Sequence, residues 1–143
     1  MEIAREFEIK VELLELIGDR SIWNQDIFDL VSKYQPDLVV SAGFMRILAP
    51  DFVQTFKVIN THPALLPLFP GAHAVRDALA AGATETGSTI HWVDEGIDTG
   101  AVIAQERVEI TATDTEESLH ERIKIIERGL IVATIPQILA ELK

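Results

Sequence analysis

The sequence contains no cysteine, and this absence excludes several kinds of site at once. Disulfide frameworks, thiolate nucleophiles and zinc sites with thiolate ligands all require that residue. A chain without disulfides also fits the cytoplasm, which is where we expect this protein to function.

Basic residues are scarce: 12 Lys and Arg stand against 23 Asp and Glu, for a formal net charge of −11 at pH 7. Such a surface repels nucleic-acid phosphates, and no run of Lys and Arg offsets it. We therefore expect no nucleic-acid partner. Apolar runs of membrane-spanning length and a signal-peptide pattern are also lacking, so we expect no membrane association.

What the sequence does have is an alternation of strand and helix patterns over its 143 residues, which predicts a single α/β domain, 1–143. The predicted sheet is mostly parallel and flanked by helices. Strands are predicted at 9–16, 38–42, 58–61, 88–94 and 101–110. Helices are predicted at 1–7, from Trp23 to Tyr34, at about 50–56 and 72–81, and from a capping box of Thr113 and Glu116 onward to a kink or end at Pro136.

The segment around Asn60 and His62 is the strongest candidate for a site. Alternate residues of a strand point to the same face, so an amide and an imidazole emerge together just before Pro63 ends the strand. In open α/β sheets, ligands bind at the ends of strands. A solvated histidine at a polar strand end is the competing interpretation.

Three segments carry a resemblance to a known family. They are Gly-Phe-Met-Arg-Ile-Leu at 43–48, Asn-Thr-His-Pro-Ala-Leu-Leu-Pro-Leu-Phe-Pro-Gly-Ala-His at 60–73, and the segment 87–100 with its Ile-Asp-Thr-Gly end. In order and spacing they resemble the phosphoribosylglycinamide formyltransferases, which are folate-dependent formyltransferases. The resemblance implies a Rossmann-like formyltransferase fold and formyl transfer from 10-formyltetrahydrofolate to the amine of glycinamide ribonucleotide, in purine biosynthesis. It also implies small-molecule partners, no metal, and a monomer or homodimer.

The resemblance assigns roles to individual residues. Asn60 would donate to the oxyanion, His62 would stabilise it and move protons, and Asp98 would keep His62 charged. His91 would support the site. The folate would contact Asn60 and Asp98 together with Arg20, Met45, Arg46, Ile47, Leu48, Asp94, Glu95, Gly96 and Ile97. The ribonucleotide would contact Lys124, Ile125, Ile126 and Glu127. A sharp turn makes Leu66–Pro67 the candidate for a cis peptide bond.

No glycine-rich phosphate loop is present, and the chain begins inside a predicted helix rather than at a strand. We therefore expect the fold to lack its first βαβ unit, and the natural protein to be longer than this chain. Three other interpretations stay open. Methionyl-tRNA formyltransferase shares the core motif but usually has basic residues that bind tRNA. Formyltetrahydrofolate deformylase usually has a second histidine in the position of Pro63. The third alternative is an inactive folate-binding fragment.

Overall fold

The computed structural model describes residues 2–44 and 46–143, and the chain separates into two compact units. The first unit ends at Gln35 and the second spans Pro36–Lys143. Helices α1 (Glu2–Glu6) and α2 (Arg20–Ser32) belong to the first unit. Asp19 caps α2, because its carboxylate accepts a hydrogen bond from the backbone N–H of Ser21 at 2.6 Å. The helices predicted at 1–7 and from Trp23 are confirmed.

The strand predicted at 9–16 is wrong. This segment has no regular secondary structure, and in the described part of the unit it pairs with no strand. Its apolar side chains are largely exposed, Leu13 at 72% and Ile9 at 61%. The alternation of side chains stabilises a strand only where a partner strand accepts its backbone hydrogen bonds and a core covers one face, and neither condition is met within this unit.

The described residues of the second unit form four strands and three helices. In chain order they are β1 (Val39–Ser41), α3 (Pro50–Thr55), β2 (Val58–His62), α4 (Ala74–Ala80), β3 (Glu85–Trp92), β4 (Val102–Glu109) and α5 (Glu116–Glu141). Each was expected from the sequence to within a few residues. Pro50 stands in the first turn of α3, where its missing N–H leaves no hydrogen bond unmade.

The strands form one sheet in the order β1-β2-β3-β4. β1 pairs with β2 in parallel, whereas β2 with β3 and β3 with β4 are antiparallel. The α/β class with flanking helices is confirmed, but the expectation of a mostly parallel sheet is wrong for the described strands. The segment between Trp92 and Val102 is too short for the crossover of a dozen or more residues that a parallel pair needs.

Helix α5 packs on β3 and β4, and α4 packs on α5. One apolar cluster joins α4, β4 and α5 through Val75, Val108, Leu119 and Ile123. A second joins β2, β3 and α5 through Ile59, Ile90 and Ile138. These apolar side chains are buried on one side of the sheet. The polar residues at the ends of β1 and β2 lie on the other side and are available for chemistry.

The start of α5 differs from the prediction. The capping box is formed by Thr115 and Ser118, not by Thr113 and Glu116. Just before it, the Asp114 carboxylate accepts from the backbone N–H of Thr111 at 2.8 Å and pairs with the Arg122 guanidinium. These contacts hold the pKa of Asp114 well below its usual range. Asp114 bonds with Thr111 on one side of the cap and with Ser118 on the other, and these contacts support a helix start at Thr115 rather than at Thr113.

Of the kink or end predicted at Pro136, the end is wrong, since α5 continues through Pro136 to Glu141, and the kink stays a prediction. Proline removes a single helical hydrogen bond, and packing of Ile138 and its neighbours against the sheet compensates for that loss. In the described part of the chain, no helix has the length and apolar character needed to cross a bilayer.

Candidate active site

The carboxyl ends of β1 and β2 lie side by side, with Ser41 opposite Asn60. A cavity of about 360 Å³ opens there, within the second unit. Its walls come from the end of β1 and the loop after it, the end of β2, His91 and the loop after β3, and the turn at Gly71. A cavity of this size at the ends of neighbouring strands suits a small-molecule ligand.

Asn60 and His91 face each other across β2 and β3, where they are register partners. The Nδ2 atom of Asn60 lies 3.4 Å from Nε2 of His91, and Nδ1 of His91 lies 2.9 Å from the carbonyl oxygen of Trp92. That oxygen can only accept, so Nδ1 carries a hydrogen. When the ring is neutral, Nε2 therefore accepts from the Asn60 amide, and the second amide hydrogen of Asn60 is left for a ligand.

His62 lies between two oxygen acceptors. Its Nε2 is 2.8 Å from the carbonyl oxygen of Phe69, and its Nδ1 is 3.4 Å from Oδ2 of Asp98. The side chain is only 5% exposed. Only the doubly protonated imidazolium donates to both acceptors at once. The contacts thus fix the ring in one orientation at the wall of the cavity.

Asp98 connects three segments through one carboxylate. Its Oδ2 accepts a hydrogen bond from the backbone N–H of Gly71 at 2.8 Å and faces His62, while its Oδ1 lies 3.6 Å from Nε2 of His91. Asp98 has a φ of +54°, in the left-handed region that most residues avoid. The hydrogen bond from Gly71 and the contact with His62 hold it there.

The turn before Asp98 is held by Asp94. Its carboxylate accepts from the Thr99 hydroxyl at 2.7 Å and from the backbone N–H of Gly96 at 2.9 Å. The Thr99 hydroxyl, followed by the Gly96 N–H, lowers the pKa of Asp94 from its ordinary value. Gln54 of α3 donates to the neighbouring Glu95 at 2.6 Å. The acidic loop is therefore an ordered wall of the cavity.

Residues 3–135 of the chain match the formyl transferase family. The chain belongs to this family. It is 51% identical over 138 residues to a phosphoribosylglycinamide formyltransferase of Mycobacterium tuberculosis, a match that covers 94% of this chain and 64% of that protein. The chain therefore spans about two thirds of the length of that relative.

Solved structures of similar proteins have the same fold. A phosphoribosylglycinamide formyltransferase from Bacillus halodurans superposes with a TM-score of 0.90 at 38% identity, covering 99% of this chain and 75% of that one. A glycinamide ribonucleotide transformylase from Symbiobacterium toebii gives a TM-score of 0.93 at 31% identity, covering 98% of this chain and 68% of that one. At 38% and 31% identity, these proteins are similar to the chain in sequence as well as in fold.

The structure brings together Asn60, His62 and Asp98, as expected for one cleft, with His91 beside them. The predicted cis bond at Leu66–Pro67 is confirmed. Of the residues assigned to the folate, the cavity is lined by Arg46, Ile47, Leu48, Asn60, Asp94, Gly96, Ile97 and Asp98.

One predicted folate contact of the second unit, Glu95, is not among the described residues that line the cavity. Glu95 is exposed and bonds with Gln54 instead of lining the wall. Met45 lies outside the described residues. Arg20 is the first residue of α2, in the first unit, and its contact with a folate stays a prediction.

The residues assigned to the ribonucleotide lie near the middle of α5 and, within the described residues, form no part of the cavity wall. Lys124 pairs with Glu121 at 2.8 Å, Ile125 is 65% exposed, and Ile126 packs against the apolar cluster that includes Ile123. With Glu127 they form four consecutive helical positions that point in different directions. Their role in binding stays a prediction.

Two groups of the site were not predicted from the sequence, the Phe69 carbonyl and the Gly71 N–H. Both are backbone atoms, and a pattern of side chains says nothing about where backbone groups point. The adjacent Pro70 and Gly71, with a φ of +92° at Gly71, were the available signal, since such a pair marks a turn that re-aims the backbone.

Proposed function

We propose that the chain transfers a formyl group from 10-formyltetrahydrofolate to the amine of glycinamide ribonucleotide, a reaction of purine biosynthesis in the cytoplasm. One observation carries the proposal. Asn60, His62 and Asp98 converge at a single cavity in a chain that is 51% identical to a phosphoribosylglycinamide formyltransferase.

The reaction begins when the amine nitrogen of the ribonucleotide attacks the formyl carbon. The carbonyl oxygen then becomes an oxyanion in a tetrahedral intermediate. An amide N–H aimed at that oxygen stabilises it more than the ground-state carbonyl, and one such donor contributes roughly 10²–10³ in rate. Asn60 suits this role because the His91 contact orients its amide and leaves one N–H directed away from the His91 ring.

His62 suits the proton transfers. The attacking nitrogen must lose a proton, and the departing folate nitrogen must gain one as the carbon–nitrogen bond breaks. With Nδ1 still facing Asp98, Nε2 exchanges the Phe69 carbonyl for the substrate, where the ring stabilises the negative oxygen when charged and exchanges protons with both nitrogens. Asp98 supplies the compensating negative charge beside Nδ1 of the ring.

The folate fits the wall made by the loops after β1 and β3. Ile47, Leu48 and Ile97 supply apolar surface for a flat ring, and the polar groups of the Asp94–Asp98 segment supply hydrogen bonds at its edge. The cosubstrate pocket is thus formed by two loops that follow neighbouring parts of the same sheet.

The test is a transfer assay with three acceptors on the purified full chain. 10-Formyltetrahydrofolate is supplied with glycinamide ribonucleotide, with methionyl-tRNA, or with water alone, and the formylated products are quantified. We expect formylglycinamide ribonucleotide as the main product. Formylation of tRNA, or release of formate independent of the ribonucleotide, would overturn the proposal in favour of a different formyl-transferring enzyme or a hydrolase.

A further inference from the structure

A row of side chains leads from the candidate active site across the sheet to β4. His62 of β2 is the register partner of Thr89 on β3, and Thr89 is the register partner of Gln105 on β4. Directly opposed residues of antiparallel neighbours project to the same face. Gln105 is outside the set of described residues that line the cavity, yet it belongs to the same row as His62.

The middle member of the row, Thr89, is fully buried, and its hydroxyl makes every hydrogen bond it is capable of. It donates to the Ala64 carbonyl at 2.6 Å. It accepts from the Leu66 N–H at 3.1 Å and from Nε2 of Gln105 at 2.9 Å. One donor and two acceptor positions are the whole capacity of a hydroxyl group.

Gln105 completes the arrangement from the edge of the sheet. The same Nε2 that donates to Thr89 also donates to the Leu66 carbonyl at 2.8 Å, so both of its hydrogens are used. The side chain of Gln105 thus bonds at once with the loop and with the residue that holds the loop.

The loop that these two residues hold is the one that orients the site. Ala64 and Leu66 are pinned at its beginning, and Phe69 and Gly71 further along it bond with His62 and Asp98. The loop sits close on β3, since a Cβ on Gly87 would come within 2.7 Å of Leu65 and 2.1 Å of the Glu106 carbonyl. A shift at Leu66 therefore moves the groups that aim the imidazole and the carboxylate.

We propose that Gln105 is a positioning residue for formyl transfer, acting through Thr89 and Leu66 on the loop that orients His62 and Asp98. The expected effect on kcat rests on the proposed function. The expected effect on the loop rests on the hydrogen bonds alone. Loss of the amide donors leaves the Leu66 carbonyl and one acceptor position of Thr89 without partners, so the loop relaxes while the folate wall at Leu48 and Ile97 is unchanged.

The main variant is Gln105→Met, which keeps the length of the side chain and removes both donors. Gln137→Met, on the exposed side of α5, is the matched control. We expect kcat to fall about tenfold with KM for both substrates within about twofold, because orientation and not binding is lost. We also expect the ¹⁵N chemical shifts of the His62 ring to change in Gln105→Met and to stay unchanged in Gln137→Met.

The change in kcat and the change in the His62 signal together decide whether Gln105 positions the loop. A lower kcat together with a changed His62 signal supports the proposal, whereas either change alone, or neither, overturns it. Gln105→Glu, which replaces the donors with acceptors, should give the same pattern and is measured alongside. If both variants unfold below the assay temperature, the residue serves stability and the proposal is overturned. A wild-type chain that transfers no formyl group overturns the proposed function, while the His62 signal still reports whether Gln105 holds the loop.

Discussion

Replacement of Asp98 by asparagine tests the central claim, because it removes a charge and little else. Asn has the same shape and keeps an oxygen that accepts from the Gly71 N–H, now 2.8 Å from Oδ2. Asn also tolerates the φ of +54° at this position, whereas Ala would add roughly 1–2 kcal/mol of backbone strain. Asp98→Asn therefore tests the charge alone, whereas Asp98→Ala would change both the charge and the backbone strain.

The magnitude follows from the contacts. The carboxylate faces His62 at 3.4 Å and His91 at 3.6 Å, and its side chain is only 12% exposed. A hydrogen bond to a charged group contributes about 1.5–3 kcal/mol and a neutral one about 0.5–1.5 kcal/mol. Loss of the charge at the His62 contact should thus cost about 1–1.5 kcal/mol of transition-state stabilisation, the difference between the two ranges. At roughly 1.4 kcal/mol per tenfold, kcat should fall about tenfold.

The assay compares kcat for formyl transfer in the wild type, in Asp98→Asn and in Asp77→Asn. Asp77 lies on α4 with its side chain 45% exposed and is the control for removing one negative charge. Thermal unfolding of all three proteins checks that the fold is retained. A folded Asp98→Asn variant with kcat within threefold of the wild type would refute the reasoning.

Further predictions concern the stability of the second unit. Gly100→Ala should prevent folding into the native state, because its Cβ would lie 1.6 Å from the Trp92 carbonyl oxygen, and yield of folded protein on expression measures this. Asp114→Asn should lower the urea midpoint at pH 7. The folded-state pKa of Asp114 lies well below its ordinary value of 3.8, so the difference from wild type should begin to shrink as the pH falls below 3.8 and be lost only as the pH falls through the lower, folded-state pKa. Thr115→Ala should lower the free energy of unfolding by about 1 kcal/mol, measured by urea titration, because the helix loses its cap.

Matched changes give the controls. Gly129→Ala, in α5 with open space around its Cβ, should be neutral or stabilising by up to about 1 kcal/mol. A soluble, folded Gly100→Ala protein would contradict the steric argument. An Asp114→Asn difference that persists unchanged at pH 2.5 would show that the charge is not its source. Thr115→Ser should retain the cap and the stability.

The sequence predicted most accurately where several signals agreed. The strand at Val58–His62 combined an apolar start, a following proline and a paired amide and imidazole, and it lies where expected. The convergence of Asn60 and His62 followed from the two-residue period of a strand. The approach of Asp98 followed from the family resemblance alone, since no local pattern specifies a contact across 36 positions of sequence.

The errors have a common physical origin. The strand expected at 9–16 had the right alternation, but strand formation depends on a partner that local sequence does not report. The cap expected at Thr113 lies at Thr115, where the hydrogen bonds of Asp114 support the helix start. The helix continues through Pro136 because α5 packs on the sheet. The backbone contacts of Phe69 and Gly71 were signalled only by the turn residues Pro70 and Gly71, and the hydrogen bonds of Gln105 depend on tertiary approach and leave no pattern in the chain.

The hairpin connection between β3 and β4 has a consequence for how this family varies. The Trp92 N–H closes the base of the connection on the Ala101 carbonyl at 2.9 Å, and Gly100 leaves no space beside Trp92. Surface loops ordinarily accept insertions and deletions at low cost. Here a single added residue would move Asp98 away from His62 or force the two strands out of register. Natural variants of this segment should therefore differ by substitution at constant length, and length changes should accumulate at turns that do not carry Asp98, such as the one after Ile110.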